Sequence, residues 1–222
     1  MIAYKFLLAN RRGPFSRAQW PAPGEWLDTD GPLVECRNGI HACRPEELAY
    51  WLGEELWELE LDGDLVARPL KILARRGRLG ARVEAWDDAV QREFAEMCVL
   101  RTARHAADAL DAAGLAEPAR ALAQADALPA VARAAGDAAR HVEPPAPRRL
   151  SHMVGYVREA LGYLESAPAS VVAYIGAHAA DAHRSTAELD AFAAEREHQS
   201  RWLAERLDLR APSWPGPATA RR

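Results

Sequence analysis

The stretch GIHAC, residues 39–43, carries the side chains of this chain that are best suited to chemistry. His41 and Cys43 share one face if the segment is extended, and Cys36 lies shortly before it. With Cys98 from further along the chain, they make a set of three thiols and one imidazole, a composition found in tetrahedral zinc sites. Structural zinc sites use closely spaced cysteine pairs, whereas Cys36 and Cys43 are seven positions apart. The spacing therefore favours buried thiols beside a hydrogen-bonded histidine over a metal site.

Two roles for His41 are compatible with the sequence. In the first, the imidazole is half-buried and fixes the turn by bonding a nearby carbonyl group. In the second, it contacts a ligand, because a side chain that titrates near neutral pH suits acid–base chemistry. Trp51 and Trp57 follow in the same region, and each is either part of the core or the wall of a cleft for a flat ligand.

The elements that position GIHAC are predicted from the residues around it. Asn38 and Gly39 form a turn dipeptide because both tolerate positive φ, and Pro45 favours the start of a helix. In the following LWELEL, apolar and acidic residues alternate, which predicts a strand with one buried face. Further strands are predicted over IAYKFLLA, LVEC, PLKILA and LGARVEAW.

An arginine-rich segment, RRGR, lies between the last two predicted strands and is predicted to be a turn. It brings Arg75, Arg76 and Arg78 close together. Guanidinium groups bind carboxylates and phosphates through paired hydrogen bonds, so this turn could bind a phosphate or an acidic partner. A solvated turn with no ligand is the alternative.

The character of the sequence changes after residue 86, from strands and turns to alanine-rich helices. This change predicts an α+β fold. The domains expected are a mixed α+β domain over 1–86, a helical bundle over 87–209 and a proline-rich tail over 210–222.

The first helix of the bundle has clear signals at both ends. Asp87 or Asp88 suits its N-cap, and Gly114 suits its C-terminal end. Helices are predicted over 88–113, 118–128, 129–141, 150–165, 167–183 and 186–207.

Charge and hydropathy exclude several classes of partner. The formal net charge of -4 provides no general attraction to nucleic acid or to anionic lipid, so we expect neither as a partner. No apolar stretch approaches the roughly 20 residues that span a bilayer. The apolar run near Met1 is too short for a secretion signal and precedes its basic residues, so a cytoplasmic location with free thiols is expected.

Residues 38–63, NGIHACRPEELAYWLGEELWELELDG, resemble the middle of the ADP-ribosyltransferase fold. In that family, a turn glycine and an extended segment precede a short helix and another strand. The resemblance implies NAD as the cofactor, although the sequence by itself calls for none. It places His41 where the poly-ADP-ribose polymerase branch has a tyrosine that stacks on nicotinamide, and Tyr50 at the helix-end tyrosine. The histidine-glycine motif of the family is missing, and Glu84 is the candidate for its catalytic glutamate.

The helical half is similar in composition to the immunity proteins of bacterial toxin systems and to uncharacterised helical actinobacterial domains. That resemblance implies a protein partner. Two functions therefore stay open. The first is a bacterial binding protein, immunity-like or regulatory, that uses its helical half for protein contact. The second is an ADP-ribosyltransferase-like enzyme or NAD-binding protein with its cleft around His41.

Overall fold

The computed structural model describes residues 1–142, 147–183 and 191–210. The chain divides into two compact units: Met1–Trp86 together with the chain from Ser200, and Asp87–Gln199. The strands lie in the first unit and most of the helical residues lie in the second, which confirms the predicted α+β class. The predicted proline-rich tail lies outside the described residues except for Arg210.

The first unit contains an antiparallel sheet and a short 3-10 helix, Pro45–Tyr50. Its strands are β1 (Ile2–Leu7), β2 (Leu27–Asp28), β3 (Ile40–Ala42), β4 (Glu55–Arg68) and β5 (Lys71–Arg82). The strand order is β1-β4-β5-β2, and β3 also pairs with β5. Tyr4 of β1 exchanges two backbone hydrogen bonds of 2.9 Å with Cys43, just after β3. This bridge closes β1, β4, β5 and β3 into a ring.

Strand alternation directs one set of side chains to the inside of this ring. Trp57, Leu59 and Leu61 are buried, as the alternation in LWELEL predicts. The members of the core are Ala3, Leu7, Trp20, Ile40, Ala42, Trp57, Leu59, Leu61, Ile72, Ala74 and Leu79.

The prediction that RRGR forms a turn is wrong, because β5 runs without interruption through it. The hairpin turn lies earlier, where Leu70 takes a φ of 64° between β4 and β5. Gly77 permits the continuous strand, since a Cβ there would lie 2.9 Å from Cγ2 of Ile40. The predicted strand LVEC is also absent as a strand, because Val34 makes only an isolated bridge with Asn38.

The helices are α1 (Asp88–Ala112), α2 (Ala116–Ala123), α3 (Leu128–His141), α4 (Arg148–Tyr163), α5 (Ala169–His183) and α6 (Ala191–Arg206). Asp87 is confirmed as the N-cap of α1, since its carboxylate accepts a 2.9 Å hydrogen bond from the N–H of Val90. Gly114 follows the end of α1 with a φ of 79°. Residues 186–190, where the last helix was predicted to begin, lie outside the described residues. No described helix is long and apolar enough to cross a membrane.

Candidate functional site

His41 lies in β3, where it pairs with Leu73 of β5 and is half-buried. Its Nε2 atom accepts a hydrogen bond of 3.3 Å from the backbone N–H of Cys36. Cys36 adopts a left-handed backbone with a φ of 60°, which is uncommon for a residue other than glycine. The imidazole therefore holds this turn in place. It does so by accepting from an N–H group, where the sequence suggested a bond to a carbonyl.

Two lysines flank His41. Lys5 Nζ donates to the carbonyl oxygen of His41 at 2.7 Å and lies 5.0 Å from the ring centre of Trp20. Lys71 Nζ lies 2.8 Å from the carboxylate of Glu35. Burial lowers the pKa of His41, and the positive charges of Lys5 and Lys71 lower it further. Burial likewise lowers the pKa of Lys5 to about 8. At neutral pH the imidazole is therefore neutral and able to accept the hydrogen bond.

The four predicted ligand-binding residues occur in different local settings. Trp51 donates from Nε1 to the carbonyl of Leu70 at 2.6 Å, and Tyr50 ends the 3-10 helix. Trp57 lies in the core of the ring and lines a separate cleft whose lining does not include His41. Both residues nevertheless neighbour Lys5, which pairs with Trp57 across β1 and β4 and donates to the carbonyl of His41.

The two catalytic candidates lie at opposite ends of β5. His41 pairs with Leu73 near the start of that strand, whereas Glu84 follows its last residue, Arg82. Glu84 is exposed, and the Nε atom of Arg82 lies 3.7 Å from its carboxylate. Glu84 was predicted to lie on a strand, and the structure places it beyond the end of one.

The thiols considered for zinc occupy different environments. Cys43 is buried, and its Sγ lies 3.4 Å from the carbonyl oxygen of Tyr4. Cys36 is exposed, with Lys71 Nζ 3.4 Å from its sulfur. Cys98 lies in α1, in the other unit. Burial raises the pKa of Cys43 and of Cys98, which keeps both as thiols. Within residues 1–142, 147–183 and 191–210, no three His, Cys, Asp or Glu side chains are grouped to hold a metal ion.

The arginines of RRGR already have acidic partners within their own unit. Their ion pairs are Arg75 with Asp64 at 3.2 Å, Arg76 with Asp28 at 3.2 Å and Arg78 with Glu60 at 2.7 Å. The ring of Trp26 lies 4.2 Å from the guanidinium carbon of Arg76 and 4.6 Å from that of Arg78. These contacts give the arginines a structural role at the surface of the sheet. An external phosphate or acidic group would have to compete with them.

A cleft that the sequence did not reveal lies beside the loop after β1. Its volume is about 460 Å³, and its lining residues are Asn10, Arg11, Gln19, Glu55 and Trp57. The loop turns back on itself through a bridge between Leu8 and Arg12, and a 3.0 Å bond joins the N–H of Trp20 to the carbonyl of Arg11. Asn10 and Arg11 both have left-handed backbones, with φ of 60° and 59°.

The buried carboxylate of Glu55 holds this strained loop. It accepts from the N–H of Asn10 at 2.9 Å, the N–H of Arg11 at 3.2 Å and the indole N–H of Trp57 at 3.0 Å. These partners are more than forty residues away in sequence, except for Trp57. Local patterns could therefore not have found the cleft. The only sequence signal was a glutamate at the start of a strand whose other residues alternate.

A second, smaller cleft of about 380 Å³ lies by Tyr4, Arg82 and the chain after α6. The hydroxyl of Tyr4 accepts from the N–H of Arg210 at 3.0 Å and lies 3.3 Å from its carbonyl oxygen. Burial raises the pKa of Tyr4, so the phenol keeps its proton and can donate. These bonds anchor the chain that follows α6 to β1.

The helical unit contains a buried ion cluster around Glu195. Arg101 binds both carboxylate oxygens, at 2.6 and 2.5 Å, and Nε2 of His105 lies 3.0 Å from one of them. Burial alone would raise the pKa of Glu195, but the bonds with Arg101 and His105 outweigh it and hold the pKa at about 2. A buried charge that is fully paired in this way ties α6 to α1 within the unit.

Several aromatic rings of α5 and α6 pack together in the helical unit, and one of them is exposed. The three rings belong to Tyr174, His178 and Phe192, whose ring centres lie between 4.3 and 5.8 Å apart, and Arg196 is the fourth member of the cluster. Tyr174 is 51% exposed. The guanidinium carbon of Arg196 lies 5.9 Å from the ring centre of Tyr174 and 5.7 Å from that of Phe192. We refer to these four residues as the α5–α6 aromatic cluster.

No protein-family model, curated protein or solved structure matches the chain.

Proposed function

We propose that this chain is a binding protein that holds a protein partner through its helical unit, with the α5–α6 aromatic cluster at the centre of the interface. The observation that carries the proposal is the exposure of Tyr174, 51%, while its ring packs against His178 and Phe192. A surface ring that is already held in place loses little freedom on binding. Aromatic side chains also supply much of the affinity of protein interfaces.

The arrangement around His41 supports binding over catalysis. The imidazole of His41 accepts a hydrogen bond from the N–H of Cys36, and the ammonium of Lys71 forms an ion pair with Glu35. A catalytic base must reach a proton of its substrate and must lie near the groups that stabilise the transition state. Glu84, the carboxylate that the ADP-ribosyltransferase resemblance would use, lies beyond the far end of β5.

The class of partner follows from the resemblance of the helical half to immunity proteins. A bacterial toxin is therefore the first partner to test, and a regulatory protein is the second. In either case, the rings of Tyr174 and Phe192 would be buried in the complex, and the polar residues around them would form its rim.

The proposal is tested by co-purification of the tagged full chain from its native host. We expect wild-type protein to recover one partner in stoichiometric amount. Tyr174→Ala should lower the affinity by at least about ten-fold, as truncation of a central aromatic residue does. Tyr163→Ala is the matched control, since Tyr163 is 45% exposed on α4 and lies outside the cluster.

Comparison of Tyr174→Ala with Tyr163→Ala shows whether the loss of the partner depends on the α5–α6 aromatic cluster. Recovery of the chain alone, or equal loss of the partner in both variants, would contradict a role for the α5–α6 aromatic cluster. Both tyrosines are exposed and α-helical, and alanine has the highest helix propensity, so both variants should fold.

NAD binding around His41 is a second proposed function, because His41 is half-buried and has two cationic neighbours, one of which lies over the indole of Trp51. Lys5 contacts its carbonyl, and Lys71 Nζ lies 5.2 Å from the ring centre of Trp51. Cationic groups and an aromatic surface suit a pyrophosphate and a flat base. This proposal concerns binding alone, because the carboxylate of Glu35 beside His41 is already paired with Lys71 at 2.8 Å and Glu84 lies beyond the far end of β5.

A thermal-shift titration with NAD tests this second function. At a hundred times its dissociation constant, a ligand stabilises the folded state by about 2.7 kcal/mol. We expect a dose-dependent rise in Tm for the wild type and none for His41→Ala. The measured quantity is the rise caused by NAD, because His41→Ala also lowers the starting Tm. Absence of a rise in cooperatively melting wild-type protein would contradict NAD binding.

A further inference from the structure

The cleft beside the loop after β1 contains a cationic group without a partner. Within the described part of the chain, the side chain of Arg11 makes no hydrogen bond or ion pair, and its Nε atom is buried. A buried N–H group that lacks an acceptor is costly, so native structures normally supply one from protein, water or ligand. Nε itself is closed off from solvent, so an incoming carboxylate would bind the terminal nitrogens of the Arg11 guanidinium, which have no acceptor among the described residues and belong to a side chain that lines the cleft.

Acceptors of hydrogen bonds lie in the same cleft. Gln19 donates from its amide nitrogen to the carbonyls of Asn10 at 2.7 Å and Trp20 at 3.3 Å. Its amide oxygen has no donor among the described residues. Glu55 is buried and accepts three N–H groups, whereas an ionised carboxylate offers about four acceptor positions. The cleft thus presents a guanidinium together with a carboxylate and an amide oxygen.

This combination selects a ligand that carries both charges. The guanidinium of Arg11 matches a carboxylate through paired hydrogen bonds. The negative charge of Glu55 disfavours a doubly charged anion such as phosphate and favours an ammonium group. The largely buried indole of Trp57 adds a flat apolar wall.

We propose that the cleft lined by Arg11, Gln19, Glu55 and Trp57 binds a small zwitterion of the α-amino acid class. Its carboxylate pairs with Arg11, and its ammonium faces Glu55 and the amide oxygen of Gln19. The cleft volume of about 460 Å³ is ample for an amino acid with an aromatic side chain. The residues that carry this inference all belong to the first unit, so the inference does not rest on the proposed protein interface.

The direct test is a titration of the isotope-labelled full chain by heteronuclear NMR. L-phenylalanine is the probe, and phenethylamine and 3-phenylpropanoate are its analogues without the carboxylate and without the ammonium. The reporters are the amide signals of Asn10 and Arg11 and the indole signal of Trp57, all of which donate to Glu55. We expect saturable shifts with L-phenylalanine and affinities at least about ten-fold weaker with each analogue.

Substitutions distinguish binding at this cleft from non-specific electrostatic attraction to the protein surface. Arg11→Gln should weaken binding by at least about ten-fold, and Arg11→Lys, which keeps the charge and loses the planar fork, should also weaken it. Arg12→Gln removes the same charge one position away and should leave the affinity within about two-fold. No saturable shift in the wild type would overturn the proposal, as would equal binding of either analogue or equal effects of Arg11→Gln and Arg12→Gln. Inorganic phosphate that binds as tightly as L-phenylalanine would also overturn it.

Discussion

The imidazole of His41 and the backbone of Cys36 are joined by a hydrogen bond that holds a left-handed turn. Loss of that bond should destabilise the first unit by about 1 kcal/mol, the usual net value for one hydrogen bond. We expect His41→Ala to lower the urea midpoint without a change in m-value. An unchanged midpoint would show that the bond contributes nothing to stability.

The same bond predicts a pH dependence. Burial and the neighbouring lysines hold the pKa of His41 below its ordinary value of 6.5, so the folded state binds fewer protons there than the unfolded chain. The contribution of His41 is therefore fully present above pH 6.5 and is lost as the pH falls through the lower, folded-state pKa. The free energies of unfolding of wild type and His41→Ala should be measured between pH 5 and 7.5. We expect the difference between the two proteins to become smaller as the pH falls, and a constant difference would contradict this.

The buried amino group of Lys5 predicts that the free energy of unfolding depends on pH in the alkaline range. Burial lowers its pKa from 10.5 to about 8. Between these values, the unfolded chain holds the proton that the folded state has released, so stability rises with pH in this window. Lys5→Met cannot release that proton. We expect the free energy of unfolding of the wild type, relative to Lys5→Met, to increase from pH 8 to 10.5. A flat or falling difference would contradict the burial of a charged Lys5.

Loss of the negative charge of Glu195 should destabilise the helical unit strongly. Glu195→Gln leaves Arg101 and His105 without their anion, and breaking a buried pair in this way costs about 3 kcal/mol or more. Glu165→Gln, which removes an exposed partner of Arg92, is the matched control and should stay close to wild type. Chemical denaturation of the three proteins provides the comparison. Equal stability of both variants would rule out a structural role for the cluster.

Substitution of Gly77 by alanine should destabilise the first unit. A Cβ at this position would lie 2.9 Å from Cγ2 of Ile40 inside the ring, so Gly77→Ala must displace the core and should cost about 1–3 kcal/mol. Gly80→Ala on the same strand places its Cβ 3.4 Å from Cβ of Glu58, at the edge of ordinary contact, and should be much better tolerated. Thermal melting of both variants checks this, and similar Tm values would contradict it.

Patterns of neighbouring residues in the sequence correctly predicted some strands and helix ends. The alternation in LWELEL identified the inward face of β4, and Asp87 marked the start of α1. The prediction of a turn at RRGR was wrong because its arginines, on β5, pair with carboxylates of the same unit and contact Trp26. Arginine and glycine in sequence suggested a solvated turn, whereas cross-strand partners decided the structure.

Long-range contacts account for what the sequence did not predict. The bridge between Tyr4 and Cys43 closes the ring across 39 residues, and Glu55 reaches Asn10 across 45. Neither pairing leaves a periodic signal, so the closed sheet and the cleft at Arg11 emerge only in three dimensions. The α5–α6 aromatic cluster was missed for a related reason: Phe192 meets Tyr174 only when two helices pack.

The proposed interface is tested most directly by photo-crosslinking from the helical surface. A photoreactive phenylalanine analogue is placed at position 174 in one protein and at position 163 in another, both exposed tyrosines of the helical unit. After irradiation in the native host, we predict one discrete crosslinked partner from position 174 and none from position 163. The same crosslink from both positions, or from neither, would contradict an interface centred on the α5–α6 aromatic cluster.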